Sequence, residues 1–512
     1  MTRHTPPQMG RSMHVLRFAL AAALIAGTLA PAAAAPPARV RFATFNASLN
    51  RNSFGQLFTD LVSPGAATTG VAQARRIAEI IQRNAPDILL INEFDWDPQR
   101  DFHGRTVLDL FHDNFLAVSQ NGQPALSFPY RYTATPNTGF SPYDTSEDGT
   151  PDSTPPAPSS PDFLDFDNSG TAVTTPGSEA YGNDAFGFGE FRGKYGMAVY
   201  SRFPIATASI RQFRRLLWNA MPGARLPDNS SSVAPADWYS PAELAVFRLS
   251  SKSHWDLPID LGGGHLVHFL VAHPTPPVFD GPENRNGLRN ADEIRFWADY
   301  IDPARSSWIT DDNGNRGGLA RGDRFVIAGD CNADPANGDS FPGAAQQLTT
   351  HPLILNSPIP SASRYSNNTT NTADFAQDLR VDYVLPSRSG LSILDSAIFW
   401  PLSPHPQASL VTTANASDHK LVWLDVRPDV SLDAAVQNFT ATWTGNAIRI
   451  TFSGAPGHLY SLQESSNPAA SPWLPVPGAD PVPLNPDFSA SIDIPPTPPG
   501  RRSFRLAISF AP

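Results

Sequence analysis

Six polar clusters, each at the end of an apolar run, hold the side chains that could do chemistry. They are Asn46 in FATFNASL, Glu93 in ILLINEF, His273 in HFLVAHPTP, Asp330 and Asn332 in FVIAGDCNAD, Asp382 in LRVDYVLPS, and Asp418 with His419 in NASDHKLVWLDV. Two kinds of donor are present: oxygens suited to a hard divalent cation, and imidazoles suited to moving a proton. A cation such as Mg²⁺ keeps several of its waters, so a few carboxylates or carboxamides suffice to hold it. Asn46 and Glu93 suit that task, with Asp418 as a further ligand. Asp330 and Asn332 are two apart, so on an extended segment both face one way, where acid and amide can orient water and donate to a phosphate oxygen. Gly329 just before them allows close backbone approach. Asp382 can fix one nitrogen of His419 and raise its basicity, leaving the other to act as base or, protonated, to bind phosphate. His273 would stabilise phosphoryl charge or assist the leaving group. Any one cluster alone reads as a solvated strand end. Together they suit hydrolysis of a phosphate ester by activated water.

The flanking segments say how such residues could meet. VRFATFNASL alternates as a strand, VAQARRIAEIIQRN places Val71, Ala74, Ile77, Ile80 and Ile81 on one helical face, and DILLINEF follows Pro86 as a buried strand. GGHLVHFLVAHPTPP reads as a strand, and a helix is expected from about Arg289 to Ile301 with Ile294, Trp297 and Ala298 in its stripe. DRFVIAGDCN, RVDYVLP and HKLVWLDV are further short buried strands. Strands alternating with a few helices imply an α/β sandwich of mixed sheets with helices outside. Residues 119–194, rich in Pro, Ser, Thr, Gly and Asp, read as a surface insertion. Within it Asp165, Asp167, Ser169 and Gly170 resemble part of a calcium loop, but Pro176 stands where an acid is needed, so the segment reads as a solvated acidic loop. Residues 433–512 carry short alternating runs between Pro and Gly turns, the pattern of a small all-β sandwich.

Bulk composition narrows the partners. At 512 residues with 41% hydrophobic content, the chain should fold into more than one domain. Lys and Arg number 37 against 48 Asp and Glu, a net charge of −11, so no general basic field draws in duplex DNA. Arg11, His14 and Arg17 precede the 13-residue apolar run Phe18–Ala30, and small residues follow, which reads as a signal peptide over 1–34 cleaved after Ala34. That run is too short to span a bilayer, so no stable membrane insertion is expected, and the protein should be secreted or periplasmic. The lone Cys331 cannot form an internal disulfide and reads as a core residue.

The ordered set Asn46, Glu93, His273, Asp330-x-Asn332, Asp382 and Ser417-Asp418-His419 resembles the endonuclease/exonuclease/phosphatase superfamily, over roughly residues 39–428 without the 119–194 insertion. GDCNAD is similar to its G-D-x-N motif, and SDH to its closing motif. The resemblance implies a four-layered α/β sandwich and a divalent metal, usually Mg²⁺, with Mn²⁺ or Ca²⁺ as alternatives. It places Asn46 and Glu93 at metal positions, Asp330 and Asn332 at the acid–amide pair, Asp382 with His419 at the acid–histidine pair, Asp418 beside them, and His273 as the second histidine. Cys331 stands where an aromatic or aliphatic residue is usual. Arg285 and Arg289, with Arg295, Lys194 and Arg202, are candidates for binding substrate phosphates. A phosphorylated small molecule and a nucleic acid both remain open as substrates, as does a non-catalytic phosphate-binding protein on the same fold.

Overall fold

The computed structural model describes residues 36–428, apart from 230, 263, 264 and 377, together with strand segments between 437 and 510. The expected signal peptide, 1–34, lies outside the described residues. Among the described residues, no helix is long and apolar enough to cross a membrane.

Two mixed sheets form the framework. The strands are β1 Val40–Leu49, β2 Ile88–Phe94, β3 Tyr130–Tyr132, β4 Met197–Ser201, β5 Arg211–Gln212, β6 His254–Asp260, β7 Leu266–Ala272, β8 Phe325–Asp330, β9 Asp382–Pro386, β10 Leu391–Ile398 and β11 Val422–Pro428. One sheet runs β10-β11-β1-β2-β4-β3 and the other β5-β6-β7-β8-β9. Each contains one parallel pair, β1 with β2 and β7 with β8, and antiparallel partners around it. A parallel pair needs a long crossover, and a helix supplies it in both cases. Helix Thr69–Asn84 links β1 to β2, and helix Arg285–Tyr300 links β7 to β8.

Alternation along the strands sorts side chains between two cores. On β7, Val267, Phe269 and Val271 face the core shared with the first sheet, while Leu270 and Ala272 face the second core under helix Arg285–Tyr300. Phe42 and Phe269, one from each sheet, bring their rings to 5.5 Å. Helix Thr69–Asn84 closes the outer face of the first sheet with Val71, Ala74, Ile77 and Ile81, all buried. Each such side chain contributes about 1.5–3 kcal/mol relative to exposure. Thr68 caps that helix by accepting from the Val71 N–H at 3.2 Å. The α/β sandwich with helices on both outer faces is as expected.

Two local differences have simple causes. Helix Arg285–Tyr300 starts four residues before the expected Arg289, because the Asp280 carboxylate accepts the first-turn N–H of Asn286 at 2.7 Å. Gly287 in that first turn hides the start from propensity alone. The 119–194 segment is irregular, as its composition suggests, yet it is anchored. Tyr130–Tyr132 pairs along β4, and Phe140, Phe166 and Phe186 are buried in the second core. Widely spaced aromatics here do what a periodic pattern does elsewhere. In the tail, strands 437–443, 448–453 and 489–494 form one small sheet, and strands 458–465, 474–475, 482–483 and 503–510 another. Ile450, Phe452, Tyr460, Leu462 and Ile492 are buried in alternation with more open neighbours, the period expected of half-buried strands.

Candidate active site

Strand direction gathers the six clusters at one edge of the two sheets. Parallel β1 and β2 both run toward that edge, with Asn46 opposite Asn92 and Glu93 next along β2. Antiparallel β11 begins there, its Val422 opposite Thr44, so the preceding Asp418 and His419 arrive at the same place. In the facing sheet, parallel β7 and β8 end at His273 and Asp330, and antiparallel β9 starts at Asp382, directly opposite Asp330. Residues as much as 373 positions apart, Asn46 and His419, therefore share one site.

One carboxylate oxygen lies at its focus. Asp330 Oδ2 accepts from Asn46 Nδ2 at 3.0 Å and lies 3.4 Å from His273 Nε2 and 3.6 Å from His419 Nε2. Asp330 Oδ1 accepts from the Asn332 backbone N–H at 2.9 Å. Asp382 Oδ2 holds His419 Nδ1 at 2.9 Å. Glu93 accepts from Asn46 Nδ2 at 3.0 Å and from Asn50 Nδ2 at 2.7 Å. Asp418 lies at the margin, its Oδ1 3.5 Å from the hydroxyls of Ser48 and Ser417. Asn332 directs its Nδ2 to the Pro274 carbonyl at 3.1 Å, which ties the end of β8 to the end of β7.

The backbone carries strain where these residues converge. Glu93, Asn332 and Ser48 all have positive φ, +57°, +51° and +47°, a conformation that costs about 1–3 kcal/mol for a non-glycine residue. Gly329 has a different reason to be glycine. A Cβ there would lie 2.1 Å from the Ala272 carbonyl oxygen, so the close approach anticipated from the sequence is real.

Electrostatics separate the two histidines. Burial opposes charge on His419, but Asp382 and Asp330 outweigh it and raise its pKa, so the ring is held as imidazolium. Burial lowers His273 to about 4, and nearby Lys252 pushes the same way, so this ring is neutral. Burial would raise Asp330, yet His419 and His273 hold it below the usual carboxylate range. Burial raises Asp382 and Glu93. Among the described residues Glu93 makes no ion pair and takes its hydrogen bonds from neutral amides; the Asn46 bond and the His419 charge ease the cost of its burial, and the Asp330 and Asp418 charges add to it. A divalent cation bound by Glu93, Asn46 and Asp418 fits that deficit, and the donors are the hard oxygens it prefers. Asp330, Asp382 and His419 also offer ligand atoms within 4.8 Å of one another. Asp382 Oδ1 and His273 Nδ1 are buried with no hydrogen-bond partner among the described residues. The site has spare polar capacity for a bound group.

The candidate arginines differ in their engagements. Arg289 borders the cavity beside the cluster, but its Nε and Nη2 donate to the carbonyls of Leu249, Phe186 and Arg248 at 2.6–2.9 Å. Arg285 borders the same cavity and is ion-paired with Glu283. Arg295 pairs with Asp299, Lys194 with Glu190 and Arg202 with Asp87, and none of the three lines that cavity. A second cavity, of 350 Å³, lies at the far end of the second sheet among Ile301, Leu319 and Arg388, and holds none of the cluster residues.

Four positioning residues escaped the sequence reading. Asn92 crosses between the sheets: its Oδ1 accepts the Asp330 N–H at 3.2 Å and its Nδ2 donates to the Ala272 carbonyl at 3.4 Å. Asn290 donates to the carbonyls of Thr275 and Cys331, and Glu293 accepts the N–H groups of Thr275 and Ser251, so one helix pins both loops. Lys252 is buried beside Glu93 and His273, its ammonium donating to the Pro274 carbonyl at 3.4 Å. Asn290 and Glu293 could have been found, because they fall at the i−4 positions of Ile294 and Trp297 in the apolar stripe. Cys331 is buried in the second core, as expected. Asp165 and Asp184 are also buried, which differs from the solvated loop expected around Asp165. With Asp167 they cluster within 4.8 Å, and their oxygens accept the N–H groups of Gly170, Ser169, Phe166 and Val173, closing the loop on itself.

No curated protein sequence gave a match. The fold search found an endonuclease/exonuclease/phosphatase from Beutenbergia cavernae DSM 12333, 14% identical with TM-score 0.40, covering 93% of this chain and 94% of that one. It also found sphingomyelinase C from Streptomyces griseocarneus, 15% identical with TM-score 0.35, covering 76% and 99%. A Staphylococcus aureus beta toxin with bound magnesium ions is 12% identical with TM-score 0.34, covering 76% and 99%. The Endonuclease/Exonuclease/phosphatase family model matches residues 43–419, from β1 to His419. The chain belongs to the endonuclease/exonuclease/phosphatase family.

Proposed function

We propose that this protein is a secreted, divalent-metal-dependent phosphoesterase that cleaves its substrate by direct attack of water on phosphorus. The observation that carries the reading is the focus at Asp330 Oδ2, reached within 3.6 Å by Asn46, His273 and His419 from three separate strand ends. An ionised carboxylate there can accept a proton from the attacking water while Asn332, two residues on, orients the phosphate. His419, held charged by Asp382, suits contact with a phosphoryl oxygen, where negative charge grows in the transition state. Neutral His273 can bind beside it without competing for charge. Asn46, Glu93 and Asp418 would hold Mg²⁺, which when bound polarises the phosphoryl oxygen. As water adds to phosphorus, the ester P–O bond breaks and the alcohol leaves with a proton taken from solvent, while Asp330 releases to solvent the proton it took from the attacking water.

The test is hydrolysis of a panel of phosphomonoesters, phosphodiesters, sphingomyelin and plasmid DNA by the purified protein and its His419→Ala variant. Turnover of at least one ester is expected, with kcat lowered about 10²–10⁴-fold in the variant. Plasmid nicking without turnover of the small esters would make it a nuclease. Tight phosphate binding without turnover of anything would favour a non-catalytic role. Export rests on the apolar run Phe18–Ala30 and its basic flank, and N-terminal sequencing of protein recovered outside the cytoplasm should begin near Ala35. A cytoplasmic protein retaining Met1 would contradict export.

A further inference from the structure

The cavity beside the cluster has two ends of opposite character. Its volume is 410 Å³, within the range of about 300–1,000 Å³ usual for small-molecule sites. Glu93, His273 and Lys252 line one end, and Phe166, Tyr239 and Phe247 line the other. Tyr239 stacks on Phe247 with ring centroids 4.5 Å apart, and Phe166 meets Phe247 edge-on at 4.7 Å. Phe188 and Phe279 line the cavity as well, yet are 40% and 85% exposed. One exposed phenylalanine is ordinary, but two on a single rim make an apolar patch that a ligand can cover.

We infer that this cavity takes the organic part of the substrate, and that this part is a flat, uncharged aromatic group on a small phosphoester. The inference rests on the phosphoesterase reading for what occupies the polar end. Arg285, Arg289 and Lys252 line the cavity against the carboxylates Glu93 and Glu179, so charge argues against a quaternary ammonium headgroup. A cation would seek the aromatic faces, but the Arg289 guanidinium already sits 4.6 Å over Phe247, and Arg285 lies 5.6 Å over nearby Trp238. Charge also argues against many phosphates. Of the cations once considered for that role, Arg285, Arg295, Lys194 and Arg202 are each paired with a carboxylate. The Lys252 ammonium differs. It is buried at the polar end, and the oxygen it contacts is a neutral carbonyl. One phosphoryl group beside Lys252 and one aromatic group beside Phe247 fill both ends. Aromatic edge and face contacts of the kind already present among these rings would hold such a group.

The test uses full-length protein with Mg²⁺ and ligands that cannot be hydrolysed, so binding is read apart from turnover. Calorimetric titration compares naphthylmethylphosphonate, methylphosphonate and 3-(trimethylammonio)propylphosphonate, the last carrying a quaternary ammonium on a C–P bond. The naphthyl compound should bind at least about tenfold tighter than methylphosphonate, with the ammonium compound no tighter than methylphosphonate. The double variant Phe188→Ala, Phe279→Ala should lose most of that preference. Both residues are exposed, so folding should survive. Phe102→Ala, an equally exposed aromatic outside the cavity lining, should keep it. Lys252→Met should weaken both phosphonates alike. Equal binding of the naphthyl and methyl compounds, tightest binding of the ammonium compound, or a preference untouched by the double variant would overturn the inference. Intact aryl preference with no turnover of any ester would leave the cavity assignment standing and defeat the phosphoesterase reading.

Discussion

Replacing Asp382 with asparagine should shift the protonation of His419 without moving it. Asp382 Oδ2 lies 2.9 Å from His419 Nδ1, and Asp382 Oδ1 has no hydrogen-bond partner among the described residues, so the amide nitrogen can take that side and the amide oxygen can keep the bond. What is lost is charge. A buried hydrogen bond to a charged partner contributes about 1.5–3 kcal/mol, against about 0.5–1.5 for a neutral one. The difference is on the order of 1–2 kcal/mol, and about 1.4 kcal/mol is one pKa unit, so His419 should titrate roughly one unit lower. Asp330, 3.6 Å from His419 Nε2, remains and keeps the shift from being larger. Because the pKa starts at about 10, the ring stays charged at neutral pH even after that fall, and the weaker hold on the imidazolium should lower kcat by about tenfold, what 1–2 kcal/mol gives. Titration of the His419 ring proton by NMR gives the first quantity, and initial rates on the best ester give the second. A pKa within about half a unit of wild type, together with kcat within about twofold, would show that the Asp382–His419 contact does not organise the site.

Three other outcomes follow from the geometry. Gly329→Ala places a Cβ 2.1 Å from the Ala272 carbonyl, and backbone cannot yield as a flexible side chain does. It should lower unfolding stability by about 1–3 kcal/mol or more in urea titration, and unchanged stability would refute the close packing of β7 on β8. His254 is wholly buried, accepting from the Ser250 hydroxyl and donating to the Glu293 carbonyl, and burial lowers its pKa to about 3. A base whose folded pKa lies below its unfolded value of about 6.5 binds fewer protons when folded. Its contribution to stability is therefore full above about pH 6.5 and falls as pH drops toward 3; His254→Gln should flatten that slope in denaturant titrations across the range. Asn92→Ala removes the acceptor of the Asp330 N–H and a bond to the Ala272 carbonyl, and should cost about 1–3 kcal/mol along with a fall in kcat. Loss of stability alone, with kcat unchanged, would make Asn92 a purely structural bridge.

Much of the framework could be read from the chain because each strand carries its own signal. Alternating or continuous apolar runs such as DILLINEF and DRFVIAGDCN are local, and so are the polar residues that interrupt them. The helix Thr69–Asn84 is equally plain, its apolar stripe of Val71, Ala74, Ile77 and Ile81 lying within one short segment, though its Thr68 cap shows only in the structure. What could not be read is contact between distant segments. Nothing near Lys252 marks it, because its meaning lies in Glu93 and His273, on other strands. Asn92 looked like one more polar residue beside Glu93, until the facing sheet brought the Asp330 N–H to it. The 119–194 segment misleads for a related reason. Its polar average conceals Phe140, Phe166 and Phe186, three anchors too widely spaced to form a period. Asp165 and Asp184 were hidden likewise, since their partners are main-chain N–H groups that composition does not register.

Magnesium dependence measured on wild type and Glu93→Gln side by side bears most directly on whether the strand ends make one metal-assisted site. After chelation, wild type should lose hydrolysis of its best ester and regain it on adding Mg²⁺. Glu93→Gln removes a buried carboxylate whose hydrogen bonds come from neutral amides, so it should need about 10–100-fold more Mg²⁺ for half-recovery, the span seen when a metal site loses a supporting group. Hydrolysis that survives chelation, or recovers at the same Mg²⁺ concentration in both proteins, would mean that Glu93 and its neighbours hold no catalytic cation.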